Sequence, residues 1–114
     1  MAGTHDIVCD QGATFTRVFT WEDSTANPID LTLYTARMQV RATVGSASTL
    51  LSLTTENGGI SLGGIAGTIT VTATATQTAA IAAGCYVYDL EMVTGAVVTR
   101  LVQGSFTVDA EVTR

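Results

Sequence analysis

Polar and apolar residues alternate along most of this chain, and the period is two. In "TARMQVRA", Ala36, Met38 and Val40 share one face while Arg37, Gln39 and Arg41 share the other. In "GTITVTATAT", Ile69, Val71, Ala73 and Ala75 alternate with threonines. In "GCYVYDLEM", Tyr86, Tyr88, Leu90 and Met92 fall on one face, with Cys85, Val87, Asp89 and Glu91 on the other. "FTRVFTW" puts Phe15, Phe19 and Trp21 on one face together with Arg17. Successive side chains of a strand point to opposite faces, so this pattern predicts strands with one face buried. Threonine, valine, isoleucine and the aromatics suit a pleated, half-buried surface. The pattern predicts an all-β chain.

Breaks in the pattern predict the turns. Asn27-Pro28 interrupts the chain after "WEDSTA", and "VGSAS" ends the arginine-bearing strand. Asn57-Gly58 carries the signature of a type I′ hairpin, whose two central residues need positive φ. Thr94-Gly95 returns the tyrosine strand into "AVVTRLVQG", and Gly104 marks a bulge or bend in the last strand. Alanine-rich "TQTAAIAAG" is the exception. It predicts a short helical turn near 76–83, capped by Thr76 or Thr78, stopped by Gly84 and crossing from one sheet to the other. The sum is a single domain, 1–114, with about seven to nine antiparallel strands in a β-sandwich. Residues 1–4 and 109–114 are expected to be flexible or partner-contacting arms. A helical turn, then Gly84, then Tyr86-x-Tyr88 resembles the corner before strand F of immunoglobulin-like sandwiches. That resemblance implies that the Tyr86 hydroxyl bonds back to the backbone upstream.

Composition narrows the function. At 114 residues, folding buries roughly two thirds of the unfolded surface, and 46% hydrophobic residues can fill a core. The net charge is −5 and there is no lysine; the basic residues are Arg17, Arg37, Arg41, Arg100 and Arg114. So few cations cannot neutralise a run of phosphates, which argues against nucleic acid or a polybasic membrane contact as partner. Without lysine there is neither a Walker phosphate lysine nor a Schiff base. The opening "MAGTHDIVCD" lacks the basic and apolar regions of a secretory leader, so synthesis in a cytosol with Cys9 and Cys85 reduced is expected. A bridge between the two cysteines stays open, needing only neighbouring strands.

No combination of reactive side chains makes a convincing centre, and no cofactor or metal is expected. Asp89 and Glu91 share a strand face at i, i+2, where solvent or an arginine from Arg37, Arg41 or Arg100 is the natural partner. His5, Asp6, Cys9 and Asp10 cannot converge on a metal from a strand, because His5 and Cys9 face opposite to Asp6 and Asp10. A hydrolase would have to use His5, the only histidine, without a nucleophile elbow. "GGISLGGIAG" lacks the G-K-[ST] of a phosphate loop and reads as turns. Trp21, Tyr34 and Tyr86 are the aromatics that a carbohydrate-binding module would use.

The runs "QGATFTRVFTWED", "PIDLTLYTARMQVR", "TTENGGISL", "GCYVYDLEM" and "VTRLVQGSFTVDAEVTR" together resemble a family of small structural proteins of tailed bacteriophages. The likeness is to a pattern of strands and turns spanning nearly the whole chain, and it supplies no catalytic residues. It implies a non-enzymatic virion protein, made in the host bacterial cytoplasm. Such a protein would assemble with copies of itself and other virion proteins at the tail, baseplate or fibre attachment. Capsid decoration is the alternative location, and carbohydrate binding the alternative of another class. Trp21, Arg37, Arg41 and Arg114 are the candidate partner contacts.

Overall fold

The computed structural model describes residues 3–110. Within these residues nine strands form two sheets. The larger contains β1 (Gly3–Thr4), β2 (Ile7–Asp10), β4 (Thr35–Arg41), β5 (Leu51–Thr54), β8 (Gly84–Thr94) and β9 (Val97–Asp109), in the order β1-β9-β8-β4-β5, with β2 also on β9. The smaller contains β3 (Phe15–Thr20), β6 (Ile60–Leu62) and β7 (Thr68–Ala73), in the order β3-β7-β6. Their inward residues meet in one core: Ile7, Cys9, Met38, Val40, Leu90, Met92, Phe106 and Val108 from the larger sheet, Phe15, Ile60, Ile69 and Val71 from the smaller. Each large apolar side chain so buried contributes roughly 1.5–3 kcal/mol. The protein is an all-β, two-sheet structure, as the period-2 pattern requires.

Several local expectations are corrected. The strands are not all antiparallel, because β1 and β2 run parallel to β9. Of the expected arms, Gly3 and Thr4 belong to the large sheet and Asp109 ends β9 paired with Asp10, so these three positions are strand and not flexible, while 1–2 and 111–114 lie outside the described residues. Asn57-Gly58 is not a hairpin turn, since β5 pairs with β4 in one sheet and β6 with β7 in the other. Only Gly58 takes positive φ there; Asn57 instead uses its side chain, accepting from Thr54 N and Gly59 N and donating to Ser52 O. Gly104 is not the bulge. The register slips between Leu90 and Glu91, opposite Leu101, while Gly104 sits where a Cβ would come 2.4 Å from the His5 carbonyl oxygen. The demand at 104 is close backbone approach, which glycine alone allows.

The helix is α1 (Ala75–Ala79), shorter and earlier than 76–83. Its N-cap is Thr74, in a capping box with Gln77. Thr78 is buried, and Gly84 opens β8 without capping the helix. Thr94 and Val97 do pair across a two-residue loop, with Gly95 at φ 55°. The two cysteines lie on β2 and β8 with β9 between them, Cys9 buried and Cys85 exposed. Pointing to opposite faces of one sheet, they cannot form a disulfide without rebuilding it.

Candidate functional site

The outward face of the large sheet collects most of the charge that its strands carry. Cross-strand register lines the side chains into two rows. Gln39, Asp89 and Gln103 form one; Arg37, Glu91 and Arg100 form the next. Residues directly opposite in antiparallel strands have their Cβ atoms roughly 5 Å apart, so a carboxylate between two guanidiniums is favourable. Arg37 Nε donates to Glu91 Oε1 at 2.7 Å. Arg100, displaced by the bulge at Leu101, reaches diagonally to Asp89 Oδ2 at 3.5 Å. Arg41 donates to Gln39 Oε1 at 2.9 Å and to Ser46 O at 2.8 Å. Between Arg41, Asp89, Arg100 and Gln103 lies a shallow concavity of about 280 Å³.

Electrostatics here are mild. Partial burial pushes the Asp89 carboxyl up, the neighbouring Glu91 adds to that, and Arg100, Arg41 and Arg37 pull back. Such a half-solvated network orients side chains and can meet a polar partner surface. Nothing in it pairs a nucleophile with a base.

The other reactive groups are dispersed. Cys9 is fully buried, and desolvation pushes its thiol up, which makes it a poor nucleophile. Cys85 is exposed on the outer face, with the Thr107 hydroxyl donating to its sulfur at 3.7 Å. His5 Nε2 accepts from Arg17 Nη1 at 2.8 Å, and its ring stands edge-on to Phe19. Asp6 turns away to accept from Ser105 N at 3.1 Å. Among the described residues no group of three or more His, Cys, Asp or Glu is arranged to hold a metal ion. Trp21 is half-buried and edge-on to Tyr34 at 5.4 Å. Its ring packs partly against the core.

Tyr86 and Gly84 sit at the foot of β8. The Tyr86 hydroxyl donates to Ala82 O at 2.5 Å, and a Cβ on Gly84 would stand 3.4 Å from that hydroxyl. Among the candidate contacts, Arg37 and Arg41 lie on the charged face, Trp21 lies at the end of β3, and Arg114 lies outside the described residues.

The sequence matches no protein-family model and no curated protein.

The two sheets present opposite chemistries to solvent. Against the charged face of the large sheet, the small sheet shows Thr16, Val18 and Thr20 on β3, Thr68, Thr70 and Thr72 on β7, and Ser61 on β6. That face carries no charge. Among the described residues of the three small-sheet strands the one cation, Arg17, is on the inward side of β3 with Phe15 and Phe19. Sequence periodicity placed these residues on alternating faces, but it did not reveal Gln39 and Gln103 flanking Asp89. Those neighbours come from register between distant strands.

Proposed function

We propose that this protein is a non-enzymatic assembly protein of a tailed-bacteriophage particle, acting at the tail, baseplate or fibre attachment. One observation carries the assembly part: where apolar side chains are exposed. Val8 on β2, Val18 on β3, and Val97 and Val98 at the bare end of β9 are between 49% and 61% exposed. Leu33 and Ile65, on adjoining loops joined by the Leu31 N to Gly64 O bond, are 84% and 78% exposed. Apolar exposure gathered on terminal strands and end loops is what a docking module needs, and a pocket enzyme does not. The phage assignment rests on the resemblance in strand and turn pattern described above.

We also read the sandwich as immunoglobulin-like. The parallel pairing of β2 with the last strand, the order of the two sheets, and the bond from Tyr86 to Ala82 O support this finer assignment. A sandwich of this kind offers two faces and several edges for contact, which suits a small connector repeated in a particle.

Immunogold labelling of phage particles with an antibody to this chain tests the location. Label at the tail end is the expected result. Label over the capsid would move the role to head decoration, and no label on gently permeabilised particles would overturn the virion reading.

A further inference from the structure

Building on the assembly reading, we infer that β3 is the edge through which two copies of this chain pair, antiparallel about a two-fold axis at Val18. Four elements end the sheets, and three of them are blunted. β5 is four residues long, and its outward backbone groups, Ser52 O and Thr54 N, are already taken by the Asn57 side-chain amide. β6 has only three residues. The β1–β2 edge is split at His5 and Asp6 and carries Asp6 and Asp10, acids that repel their own copies. β3 has six residues without interruption, proline or outward charge and, among the described residues, only one neighbour.

The register follows from the hydrogen-bond pattern. Trp21 N donates to Gly67 O, which makes Trp21–Gly67 a hydrogen-bonded pair. Such pairs alternate in an antiparallel ladder, so Phe19, Arg17 and Phe15 spend their backbone groups on Ile69, Val71 and Ala73. The N–H and C=O groups of Thr16, Val18 and Thr20 therefore project away from the sheet. Among the described residues nothing bonds to them.

A second β3, laid antiparallel with Val18 opposite Val18, matches three such residues to three. Thr16 faces the copy's Thr20, and every outward group finds a partner. The same register keeps outer side chains with outer ones and puts Arg17 opposite Phe19 of the copy on the inner side, a cation-to-ring pairing. A one-residue slip would mix the two faces, so the match is specific. The product is one continuous six-stranded sheet across two molecules with an uncharged threonine face.

Cysteine cross-linking of the full chain tests this, in a Cys85→Ser background to remove the exposed thiol. Facing residues of a hydrogen-bonded pair have Cα atoms about 5.5 Å apart, within disulfide reach. Val18→Cys is expected to give a covalent dimer in a mild redox buffer. Thr20→Cys alone should not, since the two copies of residue 20 would lie ~14 Å apart, four residues along the strand. An equal mixture of Thr16→Cys and Thr20→Cys should cross-link. In sedimentation, Val18→Lys should weaken the dimer by about tenfold or more, whereas Val97→Lys should leave it unchanged.

A monomer at every concentration would overturn the proposal. So would a dimer that Val18→Cys fails to cross-link, or one that Val97→Lys disrupts. None of these results bears on particle labelling, so the edge assignment and the virion reading fail separately.

Discussion

Asp89 illustrates how much a single residue's surroundings decide. Burial and Glu91 push its carboxyl up, so the folded state holds the proton more tightly than the unfolded chain. The stability this contributes is fully present below the ordinary aspartate value, about 3.9, and is lost as pH rises through the raised value. At neutral pH the ionised group gains little from Arg100, because both side chains are more than a third exposed. Asp89→Asn should therefore change stability by less than ~1 kcal/mol at pH 7. Near pH 4 the wild type should gain relative to the variant. Urea midpoints of both proteins at the two pH values check the sign, and a large loss at neutral pH would mean that Asp89 has a structural task beyond a surface ion pair. Identity and spacing made this residue visible in the sequence as an outward carboxylate. Its flanking by Gln39 and Gln103 depends on the pairing of β4, β8 and β9, which local spacing does not encode.

At the scale of elements, the joint between β1 and β2 shows how three segments are held together. His5 N donates to Gln103 O, the Tyr88 hydroxyl donates to His5 O at 2.5 Å, and Asp6 accepts from Ser105 N. All three bonds surround Gly104, whose missing Cβ lets the His5 carbonyl approach. Burial and this engagement accompany a Tyr88 hydroxyl pushed up to about 12, chiefly by desolvation. Gly104→Ala must displace backbone, not the tip of a flexible side chain. It should cost about 1–3 kcal/mol or more, the range for overpacking. Hydrogen exchange should locate the damage in Gly3–Asp10, leaving β4, β5 and the small sheet protected. The sequence flagged Gly104 as unusual, since a glycine within a strand pattern is informative. It gave no means of choosing between a bulge and a close approach, because the approaching segment lies ninety-nine residues away.

At the scale of the whole molecule, the chain passes between its two sheets more than once, and two crossings are tied at one point. Residues 11–14 lead from β2 to β3, and residues 74–83 lead from β7 to β8. Thr78, fully buried on α1, accepts from Gly12 N at 3.0 Å and donates to Ala13 O at 2.9 Å. Gln11 Nε2 donates to Ile81 O at 2.9 Å beside it. Thr78→Val keeps the shape and removes the hydroxyl, stranding the Gly12 N–H and a share of the Ala13 carbonyl. A loss of about 1–3 kcal/mol is expected. Thermal unfolding measures it, and Thr78→Ser should recover most of it because the hydroxyl returns. Sequence reasoning took Thr78 as a possible cap on helix preference alone; a buried polar clamp between two loops carries no local signature.

Period-2 alternation and the turn residues were sufficient to determine that this is a β protein. They also determined which face of β3, β4, β7 and β8 is apolar, and composition determined that the chain has no phosphate-binding or Schiff-base lysine. These are local properties, fixed by strand geometry and side-chain chemistry within a few residues. Tertiary structure alone decided the partnering: β2 parallel to β9, Asn57 bridging sheets in place of a hairpin, Cys9 and Cys85 on opposite faces, and β3 left as the open edge. Those outcomes depend on which distant segments compete for each strand's free hydrogen-bonding groups. That competition is settled only when the whole core closes.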